Sequence, residues 1–276
     1  MLFRSRLERT LTHAILISFS AIAVYPLLSI LFLALSRQSD LVTGFTIPAD
    51  PSFDSFVTAW TKGGFDRGLV NSLVVATTVT VISVALSILS GYGLATMRFP
   101  GANAIFTLLM AGLVIPFESL VIPLYRTFRD AGLTESYPAL ILPQVGLSVC
   151  LGTFWMRSFF RSSPRAVIEA SRMDGAGHLR TLVSILLPSA MPAALTLAAL
   201  VFMYTWNDYL LALVMNPGGD MLTAPLALGY FAGAQRYTDQ TVVAAAAVLV
   251  ALPVVAAYVV LQRRFIRGFL TGAVRE

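Results

Sequence analysis

Long apolar stretches constrain what this chain can fold into more than any other feature. A helix needs about 20 apolar residues to cross the hydrocarbon core of a bilayer. Six stretches reach that length, at about residues 11–34, 70–95, 104–124, 139–157, 190–214 and 241–261. Only 12% of the 276 residues are charged, against about 25% in a typical soluble domain. We therefore predict an all-α, multi-pass integral membrane protein of the cell membrane, with six transmembrane helices.

Basic residues divide unequally between the two sides of these predicted helices. Of the 19 Lys and Arg residues, 13 fall in the two termini and the loops on their side, and six fall in the other loops. Because loops rich in Lys and Arg stay in the cytoplasm, both termini are predicted to be cytoplasmic. This topology explains the net charge of +5, so we infer contact with the lipid bilayer and no nucleic-acid partner.

The sequence lacks the motifs of several other functional classes. It has one cysteine, Cys150, so a disulfide framework is excluded. It has no G-x-x-x-x-G-K-[ST] loop to hold the phosphates of ATP and no G-x-S-x-G or H-E-x-x-H catalytic motif. Rings of charge or a filter loop, which a channel needs, are not evident. We expect no cofactor and no metal in this chain, and an intramembrane enzyme or a channel is disfavoured.

One polar stretch, "EASRMDGAGHLRTLVSILLP" at residues 169–188, interrupts the apolar chain on the predicted cytoplasmic side. Ser163 as N-cap and Pro164 at the first helical position predict a short helix that begins before this stretch and continues into it. Gly175 and Gly177 predict the end of that helix. A second helix, "HLRTLVSILL", is expected to lead into the fifth span. The pattern fits a groove on another protein, and it fits a hairpin at the lipid headgroups equally well.

The same stretch resembles the EAA loop of the membrane subunits of ABC importers. The resemblance rests on Glu169-Ala170-Ser171, on Gly175, and on Ile185-Leu186-Leu187-Pro188, which have the family's spacing. Ser171 departs from the family, which has a second Ala there. Further blocks are similar to the MalG-like permeases of carbohydrate importers: "NSL", "GYGLATMRFPG", "FMYTWNDYLLAL" and "QRRFIRGFLTGAVRE".

This resemblance implies a type I ABC importer permease fold, with residues 158–189 as the cytoplasmic EAA loop. It implies an ATPase interface at Glu169, Ala170, Ser171, Arg172, Met173, Asp174 and Gly175. The implied partners are a MalF-like second permease, an ABC ATPase dimer that binds ATP and Mg²⁺, and an extracytoplasmic sugar-binding protein. The implied mechanism is alternating access. Ordinary solvated helix charges remain the alternative for Glu169 and Asp174.

The resemblance leaves the solute open between sugars and compounds such as glycerol phosphate derivatives. A neutral di- or oligosaccharide is our expectation, because the basic residues of the external loops are few and scattered. The resemblance also suggests that the C-terminal tail, "RGFLTGAVRE", reaches the ATPase subunits. A cytoplasmic anchor at the lipid headgroups is the alternative for this tail.

Polar side chains within the apolar stretches are costly in lipid, so they are candidates for a translocation pathway or gate. These candidates are Glu118, Gln144, Tyr204, Trp206, Asn207 and Asp208. Asp208 is the clearest, in the predicted fifth span. Glu118 and Gln144 each lie near a proline, where helices kink. The alternatives for all six are pairing with a neighbouring helix and a place near the external interface, and a structural or gating role is favoured over direct contact with the solute.

Overall fold

The computed structural model describes residues 6–37, 45–234 and 239–273 of the chain. The last three residues of the C-terminal tail, for which contact with the ATPase was expected, lie outside the described residues. The described residues form these helices: α1 Arg6–Leu35, α2 Asp54–Lys62, α3 Phe65–Thr96, α4 Ala102–Val114, α5 Phe117–Asp130, α6 Tyr137–Ser162, α7 Arg165–Met173, α8 His178–Arg180, α9 Leu187–Trp206, α10 Leu210–Met215, α11 Ala224–Ala234 and α12 Gln240–Ala273. A π-helical turn, Thr181–Leu186, joins α8 to α9.

Five helical segments in the described part of the chain are long and apolar enough to cross a membrane. They are α1, α3, α6, the continuous segment His178–Trp206, and Gln240–Val259 within α12. The pair α4 and α5 makes a sixth if the two helices together form one span. The predicted all-α membrane protein is therefore confirmed, with five or six spans.

The third predicted span is not a straight helix, because α4 and α5 meet at an angle of 97°. Ile115 between them has extended backbone, with φ −73° and ψ 121°. A residue that precedes proline avoids the α-helical region, since the proline ring clashes with its backbone. Pro116 therefore explains both where the helix breaks and why a pattern of apolar residues alone does not reveal the break.

The fifth span begins earlier and ends earlier than the predicted range 190–214. Its helix runs from His178 to Trp206, and α10 begins only after a break at residues 207–209. The π-helical turn lies directly before Pro188, whose ring would clash with the carbonyl of Ser184 in a regular α-helix. A wider turn relieves this clash. Pro188 of the EAA motif therefore explains why the π-helical turn lies at this position.

The chain divides into two compact units, of which the first consists of Met1–Asp66 and Ala227–Leu252. Within it, the hydroxyl oxygens of Ser55 and Thr241 lie 2.9 Å apart. Against the described residues, no part of the most apolar 18-residue stretch of α1 is buried. Side chains of this kind are expected to contact lipid or another subunit.

The second unit consists of Arg67–Leu226 and Pro253–Glu276. Its α3 and α6 pack closely through small residues. A Cβ atom on Gly91 would lie 2.7 Å from the Cβ of Met156. The Ser90 and Thr153 hydroxyl oxygens are 2.7 Å apart across the same contact. In lipid, this close approach of backbones is a main source of attraction between helices.

Candidate functional site

The EAA loop begins where α6 ends, and α7 starts one residue later than a cap at Ser163 would place it. Ser163 has extended backbone, and its hydroxyl donates to the Phe159 carbonyl of α6 at 3.4 Å. Pro164 occupies the N-cap position of α7, whose first helical residue is Arg165. The predicted N-cap role of Ser163 is therefore wrong, because its hydroxyl is bonded within the preceding helix.

The end of α7 at Gly175 confirms the prediction from the glycine pattern. Gly175 has a φ of +73°, which only glycine adopts at no steric cost. Its N–H donates to the Arg172 carbonyl at 3.0 Å, and the Ala176 N–H donates to the Ser171 carbonyl at 2.9 Å. These two bonds form a Schellman motif, which satisfies carbonyls that a helix end leaves open. Gly177, with a φ of −69°, needs no such freedom.

Most of the seven residues that the resemblance assigns to the ATPase interface project away from the chain. Exposed positions are Glu169, Ala170, Arg172, Met173, Asp174 and Gly175. Met173 is 89% exposed, which is unusual for a large apolar side chain. Among the described residues no ion pair joins Glu169, Arg172 or Asp174 to another side chain.

Ser171 differs from the other six, because its side chain is only 3% exposed. Its hydroxyl donates to the Ile168 carbonyl at 2.7 Å and lies 3.1 Å from the hydroxyl oxygen of Thr181. The structure thus corrects its assignment to the exposed interface: Ser171 lies on the face of α7 that packs inside this chain.

The inner face of α7 packs on the beginning of the fifth span. Half-buried Ile168 packs against a core that includes Phe160, Leu182 and Leu186. Thr181, the first residue of the π-helical turn, is 2% exposed and faces Ser171. Thr181 was not among the predicted site residues, because its contact spans ten residues across a turn and leaves no local signal in the sequence.

A second contact ties together the helix ends next to the EAA loop. The guanidinium carbon of Arg157, on α6, lies 3.8 Å from the centre of the Phe106 ring on α4. The Nε atom of Arg157 also donates to the Leu94 carbonyl on α3 at 3.3 Å. An arginine over an aromatic face is attracted by the ring electrons. Arg157 therefore links α3, α4 and α6, which sequence reasoning did not foresee.

The predicted pathway residues of the fifth span lie at and beyond the end of α9. Trp206 is 2% exposed and its ring stacks on Phe202, whereas Tyr204 is 71% exposed. The Asn207 amide donates to the carbonyl of Met203 at 2.8 Å. Asp208 lies in the break rather than inside the span, contrary to its predicted place.

Asp208 has a structural partner in the next helix. Its carboxylate accepts the Ala212 N–H of α10 at 3.3 Å. An acidic side chain before a helix satisfies an N–H group that has no partner within the helix and favours the helix dipole. This contact explains how a helix can restart directly after the break at residues 207–209.

The remaining two candidates lie on separate elements. Glu118 is exposed in the first turn of α5, just after the bend at Pro116. Gln144 is buried, and its amide donates to the Leu140 carbonyl within α6 at 2.8 Å. Within the described chain, no hydrogen bond or ion pair connects Glu118, Gln144 and Asp208. Direct polar contacts therefore do not join these three predicted pathway residues in the described part of the chain.

Metal ligands were not expected from the sequence. Within residues 6–37, 45–234 and 239–273, no group of three His, Cys, Asp or Glu side chains is arranged to hold a metal ion.

Known proteins with similar sequences are permeases. The chain is 33% identical over 254 residues to the trehalose transport system permease protein SugB of Mycobacterium tuberculosis, covering 92% of this chain and 93% of that protein. It is 31% identical over 267 residues to the diacetylchitobiose uptake system permease protein NgcG of Streptomyces coelicolor, covering 96% and 88% respectively. The chain is accordingly a transport subunit.

A solved structure has the same fold. It is the crystal structure of a bacterial ABC transporter involved in the import of the acidic polysaccharide alginate, with a TM-score of 0.77 and 26% identity. The alignment covers 96% of this chain and all of that one. The ABC importer permease fold expected from the EAA loop is confirmed.

The family itself follows from the match over most of the chain. Residues 83–270, which include the whole EAA loop and the fifth span, match the family described as binding-protein-dependent transport system inner membrane component. This match and the two permeases agree with the resemblance found in the sequence. The chain therefore belongs to the family of binding-protein-dependent transport system inner membrane components.

Proposed function

We propose that this chain is a permease subunit of an ATP-driven importer of neutral di- or oligosaccharides. It forms half of the translocation pathway together with a MalF-like second permease, and an extracytoplasmic binding protein delivers the sugar. The helix α7 docks on an ABC ATPase subunit in the cytoplasm. ATP and Mg²⁺ bind to the ATPase dimer and not to this chain.

The exposed face of α7 is the observation that carries the proposed coupling. Met173 is 89% exposed, between Arg172 and Asp174, which are exposed as well. Burying a methionine side chain against a partner stabilises a complex by about 2 kcal/mol. A central apolar anchor with charges at its rim is the usual composition of a protein interface. The Met173 side chain on this face is apolar, so contact with water does not stabilise it.

The packing of the inner face supports a role for α7 in transmitting motion. When the ATPase dimer closes on ATP, docked α7 helices are carried with it. Because α7 packs on the π-helical turn and Leu182, the fifth span moves with it. The spans then reorient from facing inward to facing the binding protein, and the reverse motion follows ATP hydrolysis.

Two observations support a neutral sugar as the solute. Trehalose and diacetylchitobiose, in the names of the two similar permeases, carry no charge. Two of the candidate pathway residues, Glu118 and Asp208, carry carboxyl groups, and none of the six is basic. Acidic groups in a pathway disfavour the passage of a polyanion such as alginate.

The test is uptake into proteoliposomes by the complex purified through a tag on this chain, together with its binding protein. The labelled probes are trehalose, diacetylchitobiose, maltose and raffinose, with glycerol 3-phosphate and an alginate oligosaccharide for comparison. We expect uptake of a neutral sugar that requires ATP hydrolysis and survives collapse of ion gradients. Uptake driven by an ion gradient would contradict the importer, and uptake of only an anionic probe would contradict the neutral class.

A substitution at Met173 tests the docking face in the same assay. We expect Met173→Asp to weaken ATPase retention by about 30-fold, as loss of about 2 kcal/mol implies. The matched control Met173→Leu keeps an apolar side chain of similar volume and should retain the ATPase. Equal retention by both variants would contradict docking through this face.

A further inference from the structure

We propose that Ser171 and Thr181 are positioning residues that form a buried latch between α7 and the fifth span. The latch makes α7 and the π-helical turn move as one body during transport. This inference rests on the proposed function, because it concerns how the motion of a docked α7 reaches the membrane.

The geometry of the two hydroxyls defines a directed chain of hydrogen bonds. The Ser171 side chain is 3% exposed and that of Thr181 is 2% exposed. Ser171 donates its single proton to the Ile168 carbonyl at 2.7 Å. The Ser171 oxygen, 3.1 Å from the Thr181 oxygen, is therefore the acceptor and Thr181 the donor. Ser171 keeps its bond to Ile168 within α7 in any case, whereas the Thr181 hydroxyl has this partner only while the two elements stay in contact.

The covalent connection between these elements cannot transmit force as well as this contact. Residues 174–177 between α7 and α8 contain Gly175 and Gly177 and are exposed or half-buried. The hydrogen bonds of this segment end on its two neighbouring helical elements separately, and none of its residues is buried between them. A displacement of α7 therefore reaches the fifth span through the packed inner face rather than along the chain.

The position of Thr181 directs that displacement into the membrane. Thr181 is the first residue of the π-helical turn, and Leu187 after this turn donates its N–H to the Leu182 carbonyl five residues earlier. From His178 to Trp206 the helical segment is continuous. The latch thus holds α7 to the N-terminal end of one long helical segment, on the N-terminal side of Pro188.

The departure of Ser171 from the EAA pattern has a physical reason in this arrangement. With Ala at this position, as in the family motif, the Thr181 hydroxyl would be buried without its acceptor. A buried hydroxyl that loses its partner destabilises the structure that buries it. Ser171 and Thr181 are therefore matched to each other in this chain.

The first test compares variants that remove the bond with one that leaves it intact. Thr181→Val keeps the shape of the side chain and removes its hydroxyl, and Ser171→Ala removes the acceptor. The control is Ser184→Ala, an exposed position in the same turn. The readout is sugar taken up per ATP hydrolysed by the reconstituted complex, using the neutral sugar that the wild type transports.

We expect Thr181→Val to lower this ratio by about fivefold, the effect of one net hydrogen bond, without loss of the ATPase subunits. Ser171→Ala should lower it by at least as much, because it leaves the buried Thr181 hydroxyl without its acceptor. Ser184→Ala should behave as the wild type does. In the double variant the losses should not add, because both substitutions remove the same bond. Wild-type ratios in both single variants, or fully additive losses, would overturn the latch.

A second test locks the contact covalently. Ser171→Cys and Thr181→Cys are combined with Cys150→Ala, so that no other thiol remains in the chain. Trypsin cleaves after Arg172 and Arg180, between the two new cysteines, so fragments that stay joined after cleavage report the disulfide. We expect oxidation to join the fragments and ATP-driven uptake to continue.

Two results would overturn the latch in this second test. The first is failure to cross-link under oxidant, because hydroxyls 3.1 Å apart place the two thiols in bonding range. The second is loss of uptake on oxidation that a reductant restores, because the contact would then have to open in each cycle. If the wild type itself shows no ATP-dependent uptake, the proposed function fails instead.

Discussion

At the scale of single residues, the EAA loop is organised by two positions with opposite surroundings. Gly175 is exposed, has left-handed backbone and ends α7, whereas Ser171 is buried and faces Thr181. The glycine could be predicted from the sequence, because a helix end requires a local conformation that few residues adopt. The hydroxyl pair could not, because it depends on how two elements pack after the chain has turned.

Gly175 and Gly177 provide a matched pair of substitutions in this loop. We expect Gly175→Ala to destabilise the end of α7 by about 1–2 kcal/mol, because a side chain strains left-handed backbone. Gly177→Ala should have little effect, since Gly177 has a φ of −69° and open space around it. Limited trypsin cleavage at Arg172 measures the opening of the loop. Equal cleavage rates in the two variants would contradict the assigned role of Gly175.

Substitutions of Asp208 by Asn and by Ala distinguish a structural role of this residue from a role in the translocation pathway. Asn accepts a hydrogen bond from the Ala212 N–H as Asp does, whereas Ala does not. If the residue caps α10, Asp208→Asn should retain most uptake, and Asp208→Ala should lower stability by about 1 kcal/mol. Thermal unfolding and uptake are measured on the same preparations. Loss of uptake in Asp208→Asn at unchanged stability would show that the charge itself is needed.

At the scale of elements, the observed helices differ from the predicted apolar stretches near two prolines. Each predicted apolar stretch overlaps a helix or helix pair that could cross a membrane, but Pro116 separates α4 from α5 by a 97° bend, and Pro188 accompanies the π-helical turn. Pro143 lies inside α6 without interrupting it. Sequence reasoning cannot separate these cases, because neighbouring helices determine whether the backbone groups freed by a proline find other partners.

The packing of α3 on α6 gives a prediction with an internal control. A Cβ on Gly91 would lie 2.8 Å from the backbone nitrogen of Arg157, which cannot rotate away as a side chain can. We expect Gly91→Ala to destabilise the protein by about 1–3 kcal/mol through overpacking. Gly93→Ala should not destabilise it, because no side chain or other element of the described chain lies within 4 Å of the new Cβ. The melting temperatures of both variants in detergent provide the check, and equal values would contradict the packing.

At the scale of the whole molecule, the chain is incomplete as an isolated subunit. Against the described part of the chain, the most apolar stretch of α1 has no buried residue, and the exposed face of α7 carries the apolar Met173 between the charged Arg172 and Asp174. The first surface suits lipid or another permease, and the second suits a soluble protein. Both segments could be identified from the sequence, because composition and motif are properties of the chain. What covers them could not, because it depends on molecules outside this chain.

The orientation predicted from the basic residues can be tested on the whole protein. In a Cys150→Ala background, Gly177→Cys marks the EAA loop, and Leu133→Cys marks the loop between α5 and α6. We expect a membrane-impermeant maleimide to label Leu133→Cys in intact cells and Gly177→Cys only after permeabilisation, because Arg-rich loops stay in the cytoplasm. The reverse order of labelling would contradict the predicted topology.

The central claim is that α7 docks on an ATPase, and cross-linking in the native membrane tests it most directly. A photo-activatable amino acid replaces Met173, and the control carries it at Leu133, which is 41% exposed in another loop. After illumination, mass spectrometry identifies the cross-linked protein. We expect an ATPase with a phosphate-binding G-x-x-x-x-G-K-[ST] loop to be joined to position 173 and not to position 133. Absence of an ATPase adduct at position 173, or equal adducts at both positions, would contradict the claim.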